Sequence, residues 1–126
     1  MRIVGRIESL WRYPVKSMKG VETQEAFIGY AGVYGDRLYA VHDSAAQVDF
    51  PYLTAREQER VLLYRPRFRH PEKSICPPNW PEAERAGPGL TPVYGDKDDL
   101  MVDVETPADR TLAIDDPALI TELSEG

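Results

Sequence analysis

From Ile3 to Tyr13 the chain alternates, with Ile3, Gly5, Ile7, Ser9, Trp11 and Tyr13 on one face and Val4, Arg6, Glu8, Leu10 and Arg12 on the other. Alternation with period two predicts a strand, and apolar side chains on both faces predict partial burial on each side, as in a barrel or a covered sheet. A second short strand is predicted over Ala26-Phe27-Ile28-Gly29-Tyr30, entered from Gly20-Val21-Glu22. Gly32 and Gly35 then mark a turn before a third strand from Arg37 to Asp43, where Leu38, Ala40 and His42 alternate with Tyr39 and Val41. Val61-Leu62-Leu63-Tyr64-Arg65 predicts the most deeply buried strand, ending at Pro66.

Between these segments, Asp43 to Gln47 reads as a turn, and Val48 to Leu53 is short and interrupted by Pro51. Thr54 followed by Glu57 has the spacing of a capping box, which predicts one helical turn. From His70 to Pro92 six prolines and two glycines leave little room for regular structure, so an irregular excursion is expected with one helical turn at Pro81 to Ala86. Leu100 to Val104 and Thr111 to Ile114 flank a turn at Thr106 to Asp109 and predict a hairpin. Asp116 is an N-cap with Pro117 at the first helical position, so Ala118 to Leu123 should form a short helix. There are no internal repeats. The expected fold is mainly β: a small β-barrel with one or two short helices and a long proline-rich irregular loop over about 70–92, all in one domain spanning 1–126.

A chain of 126 residues can bury one modest core and is too short for two. An apolar share of 42% and a charged share of 29% exclude disorder of the whole. No apolar run nears the roughly 18 residues of a membrane span, and Met1-Arg2-Ile3-Val4 lacks a signal peptide's apolar block, so no membrane association and a cytoplasmic location are expected. Cys76 is the only cysteine, which excludes an internal disulfide and fits a reducing compartment. The net charge of −6 argues against general nucleic-acid binding. Cations gather in residues 1–20 and 56–73, whereas carboxylates dominate from Asp96 onward. That asymmetry predicts one basic face suited to a small anionic ligand.

The chemistry concentrates in Tyr13-Pro14-Val15-Lys16-Ser17-Met18-Lys19-Gly20 and in Gly32-Val33-Tyr34-Gly35-Asp36-Arg37. Pro14 pushes Tyr13 toward an extended conformation, so the first strand should end there in a loop. Lys16 brings an ammonium, Ser17 a hydroxyl, and the turn closing at Gly20 brings backbone N–H groups. Such a turn can present several donors to one anion, usually a phosphate. Arg37 could add its bidentate fork if the two turns meet in space. The same residues would equally serve as solvated lysines on a surface hairpin.

Three ordered segments carry a resemblance: Trp11 to Met18, Gly32 to Val41, and Leu53-Thr54-Ala55-Arg56. Together they resemble the N-terminal β-barrel domain of MOSC proteins, the family of the molybdenum cofactor sulfurase C-terminal region and the mitochondrial amidoxime-reducing component. The likeness runs from about Ile3 to Arg67 and again from Val102 to Leu123. It implies that Lys16, Ser17 and Arg37 contact the phosphate of molybdopterin, the cofactor of that family. Arg56, from the third segment, is a further candidate, or a brace for its own loop. In the family a larger MOSC domain follows this barrel and supplies the cysteine that binds molybdenum. Such a domain would lie beyond Gly126, so the chain is either a piece of a longer protein or a stand-alone relative.

The resemblance therefore implies a ligand-binding module that is not catalytic by itself, with a MOSC domain as partner in cis or in trans. Within a longer protein it would belong to a molybdenum-dependent oxidoreductase or a sulfur-transfer protein. Two rival expectations are a scaffold domain that has lost the cofactor, its basic face serving a protein partner, and a small enzyme acting on a phosphorylated metabolite. No residue is assigned to catalysis or to a metal: Cys76 with His70 fits no zinc spacing, and His42 reads as packed rather than as a base. Asp36 is expected to orient Arg37 or the turn rather than to act as a base. Trp11, Tyr13, Tyr30, Tyr34 and Tyr39 would either wall a pterin pocket or pack between strands.

Overall fold

The strongest apolar periodicity in the C-terminal half builds a three-stranded antiparallel sheet. In the computed structural model, which describes residues 2–29, 31–43, 52–86 and 93–125, this sheet comprises β5 (Arg65–Phe68), β6 (Val102–Glu105) and β7 (Thr111–Ala113) in that order. Its register sets Pro66 opposite Val104, Phe68 opposite Val102, and Val104 opposite Leu112. Four further strands make two small antiparallel sheets: β1 (Leu10–Arg12) with β2 (Val21–Thr23), and β3 (Ile28–Gly29) with β4 (Gly32–Val33). The chain is thus mainly β, with seven short strands and two helices, α1 (Trp80–Ala86) and α2 (Pro117–Ser124), among the described residues. Among those residues the strands stay in three separate sheets and do not close around into one barrel.

The predicted C-terminal features form as their residues dictate. Asp116 accepts a hydrogen bond from the Ala118 amide, and Pro117 opens α2, whose Leu119 and Leu123 point into the core. Thr54 and Glu57 form the capping turn, since the Thr54 amide donates to the Glu57 carboxylate at 3.1 Å and the Thr54 hydroxyl donates to it too. Helix α1 falls where one turn was expected within the irregular excursion. Val15, Met18, Val61, Tyr64, Phe68, Val102, Val104, Leu112, Leu119 and Leu123 form one apolar cluster between sheet and helix.

Three predicted strands differ. Val61 to Leu63 belongs to a 3-10 helix over Glu59–Leu63, and β5 begins at Arg65 and continues through Pro66. The buried positions decide this: Val61 and Tyr64 are buried while Leu62 and Leu63 face solvent, a spacing of three that suits the 3-10 helix and not a strand. Pro66 is tolerated because β5 pairs on one side only. Arg37 to Asp43 is held by single bridges, Val15 with Tyr39 and His42 with Tyr52, and forms no ladder among the described residues. Ile3 to Tyr13 is a strand only at β1, because β2 ends at Thr23, opposite Leu10. Tyr30, most of the Asp43–Gln47 turn, Val48–Pro51 and residues 87–92 lie outside the described residues.

Part of the basic stretch at 56–73 is neutralised by carboxylates from the acidic stretch. Arg67 pairs with Glu105, Arg69 with Asp103 at 2.6 Å, and Lys73 with Asp99 at 3.2 Å. The basic stretch and the acidic stretch, distant in sequence, are neighbours across β5 and β6, so their charges largely cancel at this surface. Exposed pairs of this kind contribute little to stability.

Burial raises the phenol of Tyr34 above the ordinary tyrosine value, and burial likewise raises that of Tyr39, opposed by the charge of Lys97. A raised folded value means that the unfolded chain gives up these protons first. Their contribution is complete below the ordinary value of about 10 and is lost as pH rises through it toward the folded values. Unfolding free energy should therefore fall from about pH 10 upward. The fall should be shallower in Tyr39→Phe; an unchanged slope would contradict the assignment.

Candidate anion-binding site

Backbone pairing brings the two predicted turns together. The Arg37 amide donates to the Tyr13 carbonyl at 2.7 Å, and the Leu38 and Tyr39 amides both donate to the Pro14 carbonyl, at 2.9 and 3.0 Å. The Lys16 amide returns a bond to the Tyr39 carbonyl at 2.9 Å, closing a parallel bridge between Val15 and Tyr39. Pro14 has no N–H to donate, and its carbonyl accepts both amides from the second turn. Below the loop, Val15 and Met18 are sunk in the core, and the Lys19 amide is fixed to the Tyr64 carbonyl at 2.9 Å. The loop is thereby anchored from beneath.

Ser17 and Arg37 both adopt left-handed backbone, with φ of 69° and 48°. For residues with a Cβ this conformation costs about 1–2 kcal/mol each. Among the described residues the only other non-glycine with positive φ is Asp109, in the β6–β7 turn. Two of three such positions thus fall in the pair of turns where chemistry was expected, and strained backbone concentrates where the surrounding structure imposes it.

Asp36 holds the arrangement. Its Oδ1 accepts the Tyr13 amide at 2.6 Å, and its Oδ2 pairs with the Arg37 guanidinium. The expectation was that it orients Arg37 or the turn, and its two oxygens reach both. The Arg37 side chain is 66% exposed, and its guanidinium carbon sits 5.9 Å from the centre of the Tyr13 ring. One nitrogen faces Asp36, and the planar fork carries further donors. Lys16 and Ser17 are half-buried in the adjoining loop.

Arg56 is not part of this group. It is exposed on the Thr54–Gln58 turn, its amide donates to Thr54 Oγ1 at 3.2 Å, and that turn is tied to Val41 through the Leu53 amide. Glu57 and Gln58 of the same turn line a separate cavity of about 420 Å³ with Val41, Leu53, Ile120 and Leu123.

Arg12 stands out in the structure and not in the sequence pattern. Although charged, it is 4% exposed. Its Nη1 donates to the carbonyls of Tyr34 at 3.0 Å and Ser74 at 2.5 Å, Nη2 donates to Ser74 Oγ at 3.2 Å, and the guanidinium lies over the Phe68 ring at 4.6 Å. Burial lowers its proton affinity and the nearby charge of Asp36 opposes that. Arg12 ties the second turn and the proline-rich excursion to β1. Gly35 makes room for it, with φ of 85° and an ideal Cβ only 2.5 Å from Arg12 Nη1. The one available signal was an arginine inside an aromatic-rich strand.

The aromatic residues divide. Trp11 and Tyr13 are exposed and border an open groove of about 600 Å³ with Met18, Lys19, Leu62 and Arg65. Tyr34 is buried, stacked on Tyr94 at 5.2 Å and set edge-on to Phe27 at 6.4 Å, while its Oη accepts the Gly95 amide. Tyr39 donates to the Leu100 carbonyl at 2.9 Å. Packing accounts for Tyr34 and Tyr39. Cys76 is half-buried, and among the described residues no group of three or more His, Cys, Asp or Glu is placed to hold a metal ion.

The family model described as the MOSC N-terminal beta barrel domain matches residues 4–117. The chain belongs to the MOSC N-terminal β-barrel domain family. That match spans the Trp11–Met18 and Gly32–Val41 segments, the capping turn at Thr54 and the whole β5–β6–β7 sheet, so the MOSC resemblance of the sequence holds across most of the chain. Comparison with curated proteins and with solved structures found no match. As a MOSC-related module it comes from a family associated with the molybdenum cofactor. No helix among its described residues is long and apolar enough to cross a membrane.

Proposed function

We propose that this MOSC N-terminal domain is a ligand-binding module in which Lys16, Ser17 and Arg37 grip the phosphate end of a molybdopterin-like ligand. The observation that carries the reading is the set of backbone bonds joining Tyr13–Lys16 to Arg37–Tyr39, which puts the three candidate residues on one pair of adjoining turns. Their chemistry fits the ligand: a phosphate monoester is close to a dianion at neutral pH, and an ammonium, a guanidinium, a hydroxyl and loop amides are the donors it takes. Asp36 offsets part of the Arg37 charge, which lowers the affinity for any anion. A metal carried by the bound cofactor would supply redox or sulfur-transfer chemistry. The chain's own residues bind and orient.

Catalysis on this reading needs a MOSC domain, joined to the chain or supplied in trans, and the isolated domain in the cytoplasm is inert. Affinity of the isolated domain should be low, because charge-assisted hydrogen bonds contribute roughly 1.5–3 kcal/mol each when sheltered and less at an exposed rim. Arg37→Lys keeps the charge but loses the fork, so it should weaken binding of a pterin phosphate monoester by about tenfold, or roughly 1.4 kcal/mol. Lys16→Arg should weaken it less. If both variants bind like the parent, these residues do not hold the phosphate.

A further inference from the structure

Residues 2–9 are the part of the described chain whose sequence and structure disagree most. They alternate as a strand does, yet they form no ladder with any described residue, because β2 stops at Thr23 and the chain turns away through the bond from Thr23 Oγ1 to the Glu25 carbonyl. The result leaves Ile3 87%, Val4 94% and Ile7 76% exposed, among the highest values for large apolar residues described, in the segment that runs straight into edge strand β1. An edge that no described residue pairs, with apolar side chains along it, is a template for another strand.

The segment is complementary to itself. Two copies related by a two-fold axis pair antiparallel so that partners share a face, which restricts the centre to a single residue. Centred on Gly5, Ile3 lies opposite Ile7 twice and Arg2 opposite Glu8 twice, with the two glycines in the middle and Val4 opposite Arg6 on the other face. Centred on Val4, Arg2 would face Arg6. Centred on Arg6, two arginines would meet. Centred on Ile7, the extended pairing would carry Arg2 to Arg12, which is already buried and engaged. Opposite charges and apolar partners directly across a ladder are favourable, and like charges are not.

We propose that residues 2–8 are an interface for a second copy of this chain, paired antiparallel about Gly5, so that a two-stranded ladder continues each β1 beyond the end of its own β2. Four isoleucines then cover one face of the junction, and an Arg2–Glu8 pair closes each end. The contact is isologous, the same segment meeting itself across the two-fold axis. The groove beside Tyr13 and the phosphate-binding turns are separate from it.

Sedimentation equilibrium of the parent chain should show a concentration-dependent dimer. Glu8→Arg sets like charges opposite each other at both ends of the interface and should weaken dimerisation by about tenfold, and Ile7→Lys by more. Arg2→Glu combined with Glu8→Arg restores the pairs in reverse and should recover the parental association. All three positions are exposed, so the fold should persist, with circular dichroism as the check. A parent that stays monomeric, or a double variant no better than Glu8→Arg alone, would overturn the proposal.

Discussion

Arg12→Ala should lower the unfolding free energy by about 3–5 kcal/mol, the largest loss expected from any single charged residue in this domain. The substitution removes the donors that satisfy the Tyr34 and Ser74 carbonyls and empties the space over Phe68. A buried acceptor left unpaired costs roughly 1–3 kcal/mol, and here two are affected along with a guanidinium's packing. Arg12→Lys should fall between parent and Ala, because an ammonium cannot reproduce the planar fork. The measurement is a urea transition whose midpoint moves while its slope is unchanged. A shift under about 0.5 kcal/mol, typical of surface positions, would mean that the Arg12 network does not hold the turns together.

Gly35→Ala should cost about 2–4 kcal/mol. Its φ of 85° strains any residue with a side chain, and the new Cβ would lie 2.5 Å from Arg12 Nη1, 3.2 Å from Phe68 and 3.3 Å from the Ser74 carbonyl. An arginine tip can usually move aside, but this one is fixed by the Tyr34 and Ser74 carbonyls. The two substitutions should therefore couple: once Arg12→Ala has removed the guanidinium, the methyl added by Gly35→Ala meets less, and the double variant should lose less than the two single losses added together. Strict additivity would show that Gly35 is needed for its backbone conformation alone.

Local chemistry explains which parts of the fold were legible. Asp116-Pro117, the Thr54–Glu57 box and the β6–β7 hairpin declare themselves because each is completed by residues within a few positions. Partners far away in sequence decide the rest. Ile3 to Ser9 carries a strand pattern without a strand beside it among the described residues, Val61 to Tyr64 takes its helical spacing from the core beneath, and Arg67 and Arg69 find their carboxylates on β6. At the candidate site, Lys16, Ser17 and Arg37 were readable as types. That their two turns adjoin depends on the Pro14 carbonyl and on Asp36, which no spacing reveals. Arg56 comes from a third segment, and its backbone amide is bound within its own turn.

The central claim is that two turns laid together by the backbone bonds between Tyr13–Lys16 and Arg37–Tyr39 form one phosphate-binding surface. Its most direct test follows backbone amide shifts while a pterin phosphate monoester, and separately inorganic phosphate, is added to the chain. The account predicts saturable shifts centred on residues 16–20 and 35–38, similar for both probes at the loop amides and diminished in Arg37→Lys. Shifts spread along a broad face, or centred on residues 54–58 with none at Lys16–Gly20, would contradict it.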